Sequence, residues 1–223
     1  DDTTESMNSN KTNTLYKIYS LELNNSQRPI EKDMRKFNNK YFKNNDKVGL
    51  LIFTDQVERF IPPAKGRKHV LRLIREILYF KPEHHGTNLQ NALEYAGKIL
   101  SRRSVVVVMS DFLDSGFDSA FKVLRKRHDV LAVAVQDVRE TELPPVGLVE
   151  LEDPETGETL LVDTGDPYFR ESFMREAKKN AREVAERFAH MSVDFVRILV
   201  KENFQDTAAP LIEHFRRRAR EVR

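Results

Sequence analysis

Val105-Val-Val-Val-Met109, running straight into Ser110-Asp111-Phe112, is the stretch on which the fold turns. Four consecutive β-branched residues favour an extended backbone, because a branched Cβ crowds the preceding turn of a helix. With no polar alternation, the run predicts a strand buried on both faces, as at the centre of a parallel sheet. A helix is expected after it at about 117–127, then a second apolar strand, Val130 to Val135, ending at Asp137. Before it, Asn88 to Leu100 carries Leu89, Leu93, Ala96, Ile99 and Leu100 at helical spacing, and residues 68–80 do the same through Val70, Leu71, Ile74, Ile77 and Leu78. Pro82 and Gly86 separate these two helices. Earlier still, Val48 to Phe53 reads as a buried strand ending in Thr54-Asp55, with Val57 to Ile61 as its hairpin partner closed by Pro62-Pro63.

The C-terminal part continues the alternation. Gly147 to Glu152 and Glu158 to Asp163 flank Asp153-Pro-Glu-Thr-Gly157, which predicts a β-hairpin. A long amphipathic helix at 168–190 places Phe169, Phe173, Ala177, Val184 and Phe188 on one stripe, and the strand Val193–Val200 and a terminal helix from about 207 follow. The fold class is therefore α/β: a doubly wound, mostly parallel sheet flanked by helices, with a β-hairpin insertion at about 146–164.

Composition bounds the function. The chain has 223 residues, 37 basic against 35 acidic, and no cysteine, which excludes a disulfide scaffold, thiol catalysis and Cys-ligated metal. No run approaches the ~20 apolar residues of a membrane span and no apolar h-region opens the chain, so a cytoplasmic location is expected. The near balance of charge excludes a global nucleic-acid footprint, although five arginines (216, 217, 218, 220 and 223) fall in the last ten residues. A seam lies near residue 46. Residues 1–50 hold nine of the thirteen asparagines, and the first alanine is Ala64. Residues 1–45 are thus an atypical Asn-rich segment, either the first strand, loop and helix (30–42) of the domain or a foreign piece, and 46–223 is the domain itself.

Ligands of open parallel sheets bind at the carboxyl ends of the strands. Three features fall there: Asp111 directly after the valine strand, Thr87 in the loop His84-His85-Gly86-Thr87-Asn88, and the set Asp2, Thr4 and Ser6, whose i, i+2, i+4 spacing turns oxygens the same way in an extended loop. One or two carboxylates among several hydroxyls suit a hard cation that keeps its waters, namely Mg²⁺ or Mn²⁺. Each has a plainer reading by itself: Thr87 as the N-cap of the next helix, Asp111 as a strand end or the cap of the helix near 117, and Asp2 to Ser6 as solvated leader. No G-x-S-x-G elbow, Walker A loop, G-x-G-x-x-G or H-E-x-x-H is present. Adjacent His84 and His85 point apart in any regular element. The cluster Lys65 to His69 and the terminal arginines read as solvated helix faces, with docking of an acidic partner as the sharper alternative.

A likeness to a known family emerges from Asn45-Asp46-Lys-Val-Gly-Leu-Leu-Ile-Phe-Thr-Asp55, Phe60-Ile-Pro-Pro63, Gly66-Arg-Lys-His69, Gly86-Thr87, Ser110-Asp-Phe-Leu-Asp114, Arg127-His-Asp129, Leu143-Pro144, Gly147-Leu148, Asp153-Pro-Glu-Thr-Gly-Glu158 and Val162-Asp-Thr164. In this order and spacing they resemble the bacterial DUF58 family. The resemblance implies a von Willebrand factor A-like domain encoded beside MoxR-type AAA+ ATPases. It also implies a metal-ion-dependent adhesion site: Asp2, Thr4 and Ser6 would match its D-x-[ST]-x-S loop, Thr87 its second loop and Asp111 its third. If Asp2 ends the first central strand, that strand lies upstream; alternatively Leu15 to Leu23 supplies it, with Asn24 and Ser26 in the loop.

The function expected is non-enzymatic: a protein-interaction domain whose Mg²⁺ accepts an acidic side chain of a protein partner, working with a MoxR-type ATPase and with no nucleic acid. The alternatives are a metal-free scaffold, or a metal-dependent hydrolase with Asp114 or Asp55 as acid or base.

Overall fold

The computed structural model describes residues 47–84, 86–152, 159–201 and 203–221. The chain begins its described course with two antiparallel strands, β1 (Val48–Phe53) and β2 (Val57–Ala64). Strand β2 runs on through Pro62 and Pro63, where the sequence suggested a stop. The register accommodates them, pairing Val48 with Ala64 and Leu50 with Ile61 so that the prolines fall in a bulge. Gly49 permits the crossing there, since a Cβ at this position would stand 3.0 Å from the Ile61 carbonyl oxygen and 3.0 Å from the Pro63 ring.

Two helices follow, α1 (Arg67–Tyr79) and α2 (Leu89–Ile99), and then the valine strand β3 (Val105–Ser110). After α3 (Asp118–Arg127) comes β4 (Asp129–Asp137), which pairs parallel with β3 in the register Val105 opposite Asp129. A short 3₁₀ turn (Val138–Glu140) leads to β5 (Leu148–Glu152) and β6 (Thr159–Asp163), an antiparallel pair. The long α4 (Pro167–Met191) then delivers β7 (Asp194–Val200), parallel to β4, and α5 (Phe204–Glu221) ends the described chain. Among the described residues the principal sheet is thus a three-stranded parallel one in the order β3-β4-β7, flanked by helices.

Strand β4 is buried along nearly its whole length, and the period of two sends its side chains into separate layers. Val130, Ala132 and Ala134 face Leu89 and Leu93 of α2, Phe121 and Leu124 of α3 and Phe188 of α4. Leu131, Val133 and Val135 face the opposite way, toward Leu211 of α5. The first layer is rich in aromatic rings. Phe188 lies 4.7 Å from Phe112, 5.2 Å from Phe121 and 5.1 Å from Phe195, centroid to centroid.

Two further expectations need correction. The valine strand is not buried on both faces: Val105 is 60% and Val107 40% exposed, while Val108 is buried. Among the described residues β3 pairs with β4 alone, and the layer of α2, α3 and α4 covers one of its faces only. Helix α5 starts at Phe204, not near 207. The Asn203 side chain accepts the Gln205 N–H at 2.9 Å, which opens the helix early and leaves Pro210 inside it.

Candidate functional site

Asp111 follows β3 immediately and is held between two anchors. Ser110 before it is fully buried, and Phe112 after it is 2% exposed with φ 58°. A left-handed backbone costs a non-glycine residue about 1–2 kcal/mol. Here it turns the chain so that the Phe112 ring returns to the core among Phe117, Phe121, Phe188 and Phe195. The Phe112 N–H also donates to Ser110 Oγ at 3.1 Å. Packing over-determines the kink, and Asp111 is left half-buried at the carboxyl edge of the sheet, its Oδ1 accepting the Leu113 N–H at 3.4 Å.

Thr87 is held in the same manner. Gly86 precedes it at φ 81°, a value that favours glycine, and Asn88 follows. The Asn88 N–H donates to the Thr54 carbonyl at 2.9 Å, tying this loop to the end of β1, and Leu89 beyond it is fully buried. The cap of α2 is Asn88 rather than Thr87, since Asn88 Oδ1 accepts the Asn91 N–H at 2.9 Å. Nor does Asp111 cap α3: the N-cap position is Phe117, without a side-chain cap bond.

The two loops are joined by Asp114. Its Oδ2 accepts the N–H of Leu89, the first residue of α2, at 2.8 Å, and its Oδ1 accepts the Ser115 N–H. Arg187 of α4 supports the same loop. It donates to the Asp114 carbonyl at 3.3 Å and to Asp118 Oδ1 at 2.6 Å, with its guanidinium 3.9 Å above the Phe117 ring. The structure therefore brings the loops of Thr87 and Asp111 together. Asp2, Thr4 and Ser6, the helix expected at 30–42, Leu15 to Leu23 and His85 lie outside the described residues.

Next to this edge, Glu58 organises residues 83–84. Partial burial pushes its carboxyl up, but the His84 and Glu83 N–H groups and the Thr54 hydroxyl outweigh that and hold it below the usual carboxylate range. Among the described residues no three or more His, Asp or Glu side chains cluster to hold a metal. Two grooves, about 280 Å³ between β2 and α1 and about 320 Å³ between α2 and α3, lie away from this edge, and neither is lined by Thr87 or Asp111. Among the described residues no helix is long and apolar enough to cross a membrane.

Asp114 and Arg187 are the residues whose roles the sequence did not disclose. Asp114 stood out in a family motif and as an acid or base candidate; the structure shows its carboxylate bonded to the Leu89 backbone N–H, 25 residues earlier in the chain. Arg187 carried no signal beyond a polar position on a long helix.

Comparison with known proteins places these elements in a family. An uncharacterised protein of Mycobacterium tuberculosis is 32% identical over 143 residues, covering 63% of this chain and 45% of the relative, and one of Mycobacterium bovis matches equally. An uncharacterised protein of Mycobacterium avium is 33% identical over 128 residues, 56% of this chain and 75% of the relative. The match thus spans less than half the length of the first two relatives. The crystal structure of the conserved hypothetical protein BatB from Bacteroides thetaiotaomicron aligns with a TM-score of 0.43 at 17% identity, over 84% of this chain and 88% of that one. The family described as "Protein of unknown function DUF58" matches residues 38–183, and this chain belongs to it.

Proposed function

We propose that the chain is a non-enzymatic protein-interaction domain on a doubly wound, von Willebrand factor A-like fold, in which Thr87 and Asp111 contribute to a Mg²⁺-dependent adhesion-type site. The observation that carries this reading is the bond from the Leu89 N–H to Asp114, which holds together the two loops bearing Thr87 and Asp111. The helix-cap roles that would explain these side chains more simply are not theirs. Their oxygens, one hydroxyl and one carboxylate, fit a hard cation such as Mg²⁺ or Mn²⁺. Asp2, Thr4 and Ser6 complete the donor set in this reading. A cation with mostly neutral protein ligands supplies Lewis acidity toward an external Asp or Glu. The chain's own residues hold that seat rigid through the Phe112 kink and the Asp114 tie. The family resemblance suggests a MoxR-type AAA+ ATPase as the associated protein; a cytoplasmic setting belongs to this reading, with β5–β6 as a hairpin inserted in the parent fold.

The hydrolase alternative draws less support. Both oxygens of Asp114 accept backbone N–H groups, so that carboxylate is already engaged, which weighs against it as the acid or base. The test is the unfolding midpoint with EDTA against millimolar Mg²⁺ or Mn²⁺. A site binding only the native state at 100 times its dissociation constant adds about 2.7 kcal/mol, which raises the midpoint by roughly 5–10 °C in a chain of this size. That shift is expected in the wild type and absent in Asp111→Ala and Thr87→Ala. No shift in the wild type would leave the metal-free scaffold, and Mg²⁺-dependent phosphoester turnover lost in Asp111→Ala would establish the enzyme instead.

A further inference from the structure

The edge of the sheet opposite the candidate site is assembled from three helix ends. Helix α2 ends at Ile99, five residues before β3 begins, and the Ser104 carbonyl of that connection accepts the N–H of Asp129, the first residue of β4. Helix α3 ends at Arg127, whose guanidinium donates to the Gly97 carbonyl of α2 at 3.4 Å. Helix α5 is drawn to the same place by Arg218, which donates to both carboxylate oxygens of Asp129 at 2.7 Å and lies 3.5 Å from Asp194, the first residue of β7. The N-terminal ends of β4 and β7 and the C-terminal ends of α2, α3 and α5 thus share one edge.

That edge is basic in a chain whose net charge is only +2. Arg102 and Arg103 before β3, Arg125 and Lys126 on α3, and Arg216 and Arg217 on α5 are all exposed. The carboxylates of Asp129 and Asp194, at the starts of β4 and β7, are engaged by Arg218. A helix dipole is balanced by roughly half a charge at each end, so three helix C-termini account for one or two of these six cations. Helix C-termini also present carbonyl oxygens, which repel a small anion; the edge has no backbone cradle for a single phosphate. Its charge stands at the tips of long side chains and suits an extended anionic plane. Two exposed apolar side chains are chain neighbours of these cations, Val105 two residues after Arg103 at 60% exposure and Phe215 next to Arg216 at 41%. An apolar side chain gains by entering the headgroup layer of a bilayer and gains nothing from the phosphates of a duplex.

We propose that this edge is a peripheral docking surface for a membrane rich in anionic phospholipid. It would orient the molecule with Asp111 and Thr87 facing away from the bilayer. The proposal stands on residues separate from the candidate site and does not depend on its metal.

The experiment is co-sedimentation of the full chain with vesicles of phosphatidylcholine alone and of phosphatidylcholine mixed with phosphatidylglycerol, alongside a duplex DNA titration in the same buffer. Binding is expected to the mixed vesicles only, and to weaken as salt is added. Each basic residue at an anionic surface contributes about fivefold in partitioning. The fourfold variant Arg102→Gln, Arg103→Gln, Arg125→Gln, Lys126→Gln should therefore lose on the order of several hundredfold. Its unfolding midpoint, measured beside the wild type, confirms that it folds. Asp111→Ala should bind vesicles as the wild type does. Equal binding to both vesicle types, no binding to the mixed vesicles at low salt, full binding by the folded fourfold variant, or tighter binding to duplex DNA would each overturn the proposal.

Discussion

Asp114→Ala removes the tie between the loops of Thr87 and Asp111 and is the most direct probe of how the site is built. The Leu89 N–H is one of the first-turn donors that no helical carbonyl reaches, and Asp114 Oδ2 satisfies it at 2.8 Å in a half-buried position. A hydrogen bond to a charged group contributes about 1.5–3 kcal/mol, and the more exposed bond to Ser115 adds less. Stability should fall by about 1.5–3 kcal/mol, or roughly 3–12 °C in unfolding midpoint for a chain of this length. Asp114→Asn keeps one acceptor oxygen without the charge and should lose about half as much. Thermal unfolding followed by circular dichroism measures both variants, and amide exchange at Leu89 localises the effect to the start of α2. An alanine variant that melts within about 1 °C of the wild type would refute the argument. So would an asparagine variant as damaged as alanine, since the oxygen would then be irrelevant.

The core and the titration of the fold offer further tests. His128 is 4% exposed, and among the described residues neither ring nitrogen has a hydrogen-bond partner; burial, helped by the neighbouring Arg127 charge, lowers its pKa from the ordinary 6.5. The unfolded chain then binds this proton more readily than the folded one, so stability declines as pH falls below about 6.5. His128→Leu should flatten that part of the urea-midpoint profile and be neutral or stabilising at pH 7.5; an unchanged profile would contradict it. Phe188, fully buried beneath four other phenylalanine rings, should cost about 3–5 kcal/mol as alanine. The half-buried Phe169 of the same helix should cost well under half of that, and equal losses at the two positions would mean that the aromatic layer is not the organising core.

Much of the local structure was legible in the chain itself. The helices α1 to α4 begin and end within about a residue of where apolar spacing, Pro82 and Gly86 put them, because those signals act over single turns. The four valines and the run Val130 to Val135 do form adjacent parallel strands. The misjudged ends of β2 and α5 involve Pro62, Pro63 and Pro210, residues whose tolerance depends on what lies opposite. A bulge absorbs the pair in β2, and the Asn203 cap starts α5 early enough to enclose Pro210.

For the site, residue chemistry alone selected Asp111 and Thr87, because a carboxylate after a buried strand and a hydroxyl before a helix are recognisable one loop at a time. That Asn88 rather than Thr87 caps α2 follows from the Asn88 N–H reaching Thr54, 34 residues earlier in the chain. That the Asp114 carboxylate reaches the Leu89 backbone N–H follows from α2 standing beside the end of β3. The sequence by itself determined an α/β protein with alternating elements, the bounds of most of them, and the residue types gathered at the carboxyl edge of the sheet. Only the tertiary structure decided which face of β3 is covered, which carboxylates are engaged, and that the basic ends of α2, α3 and α5 meet at one edge. Periodicity records what each residue must satisfy within its own element; pairing and packing join residues tens of positions apart, and no local pattern encodes that distance.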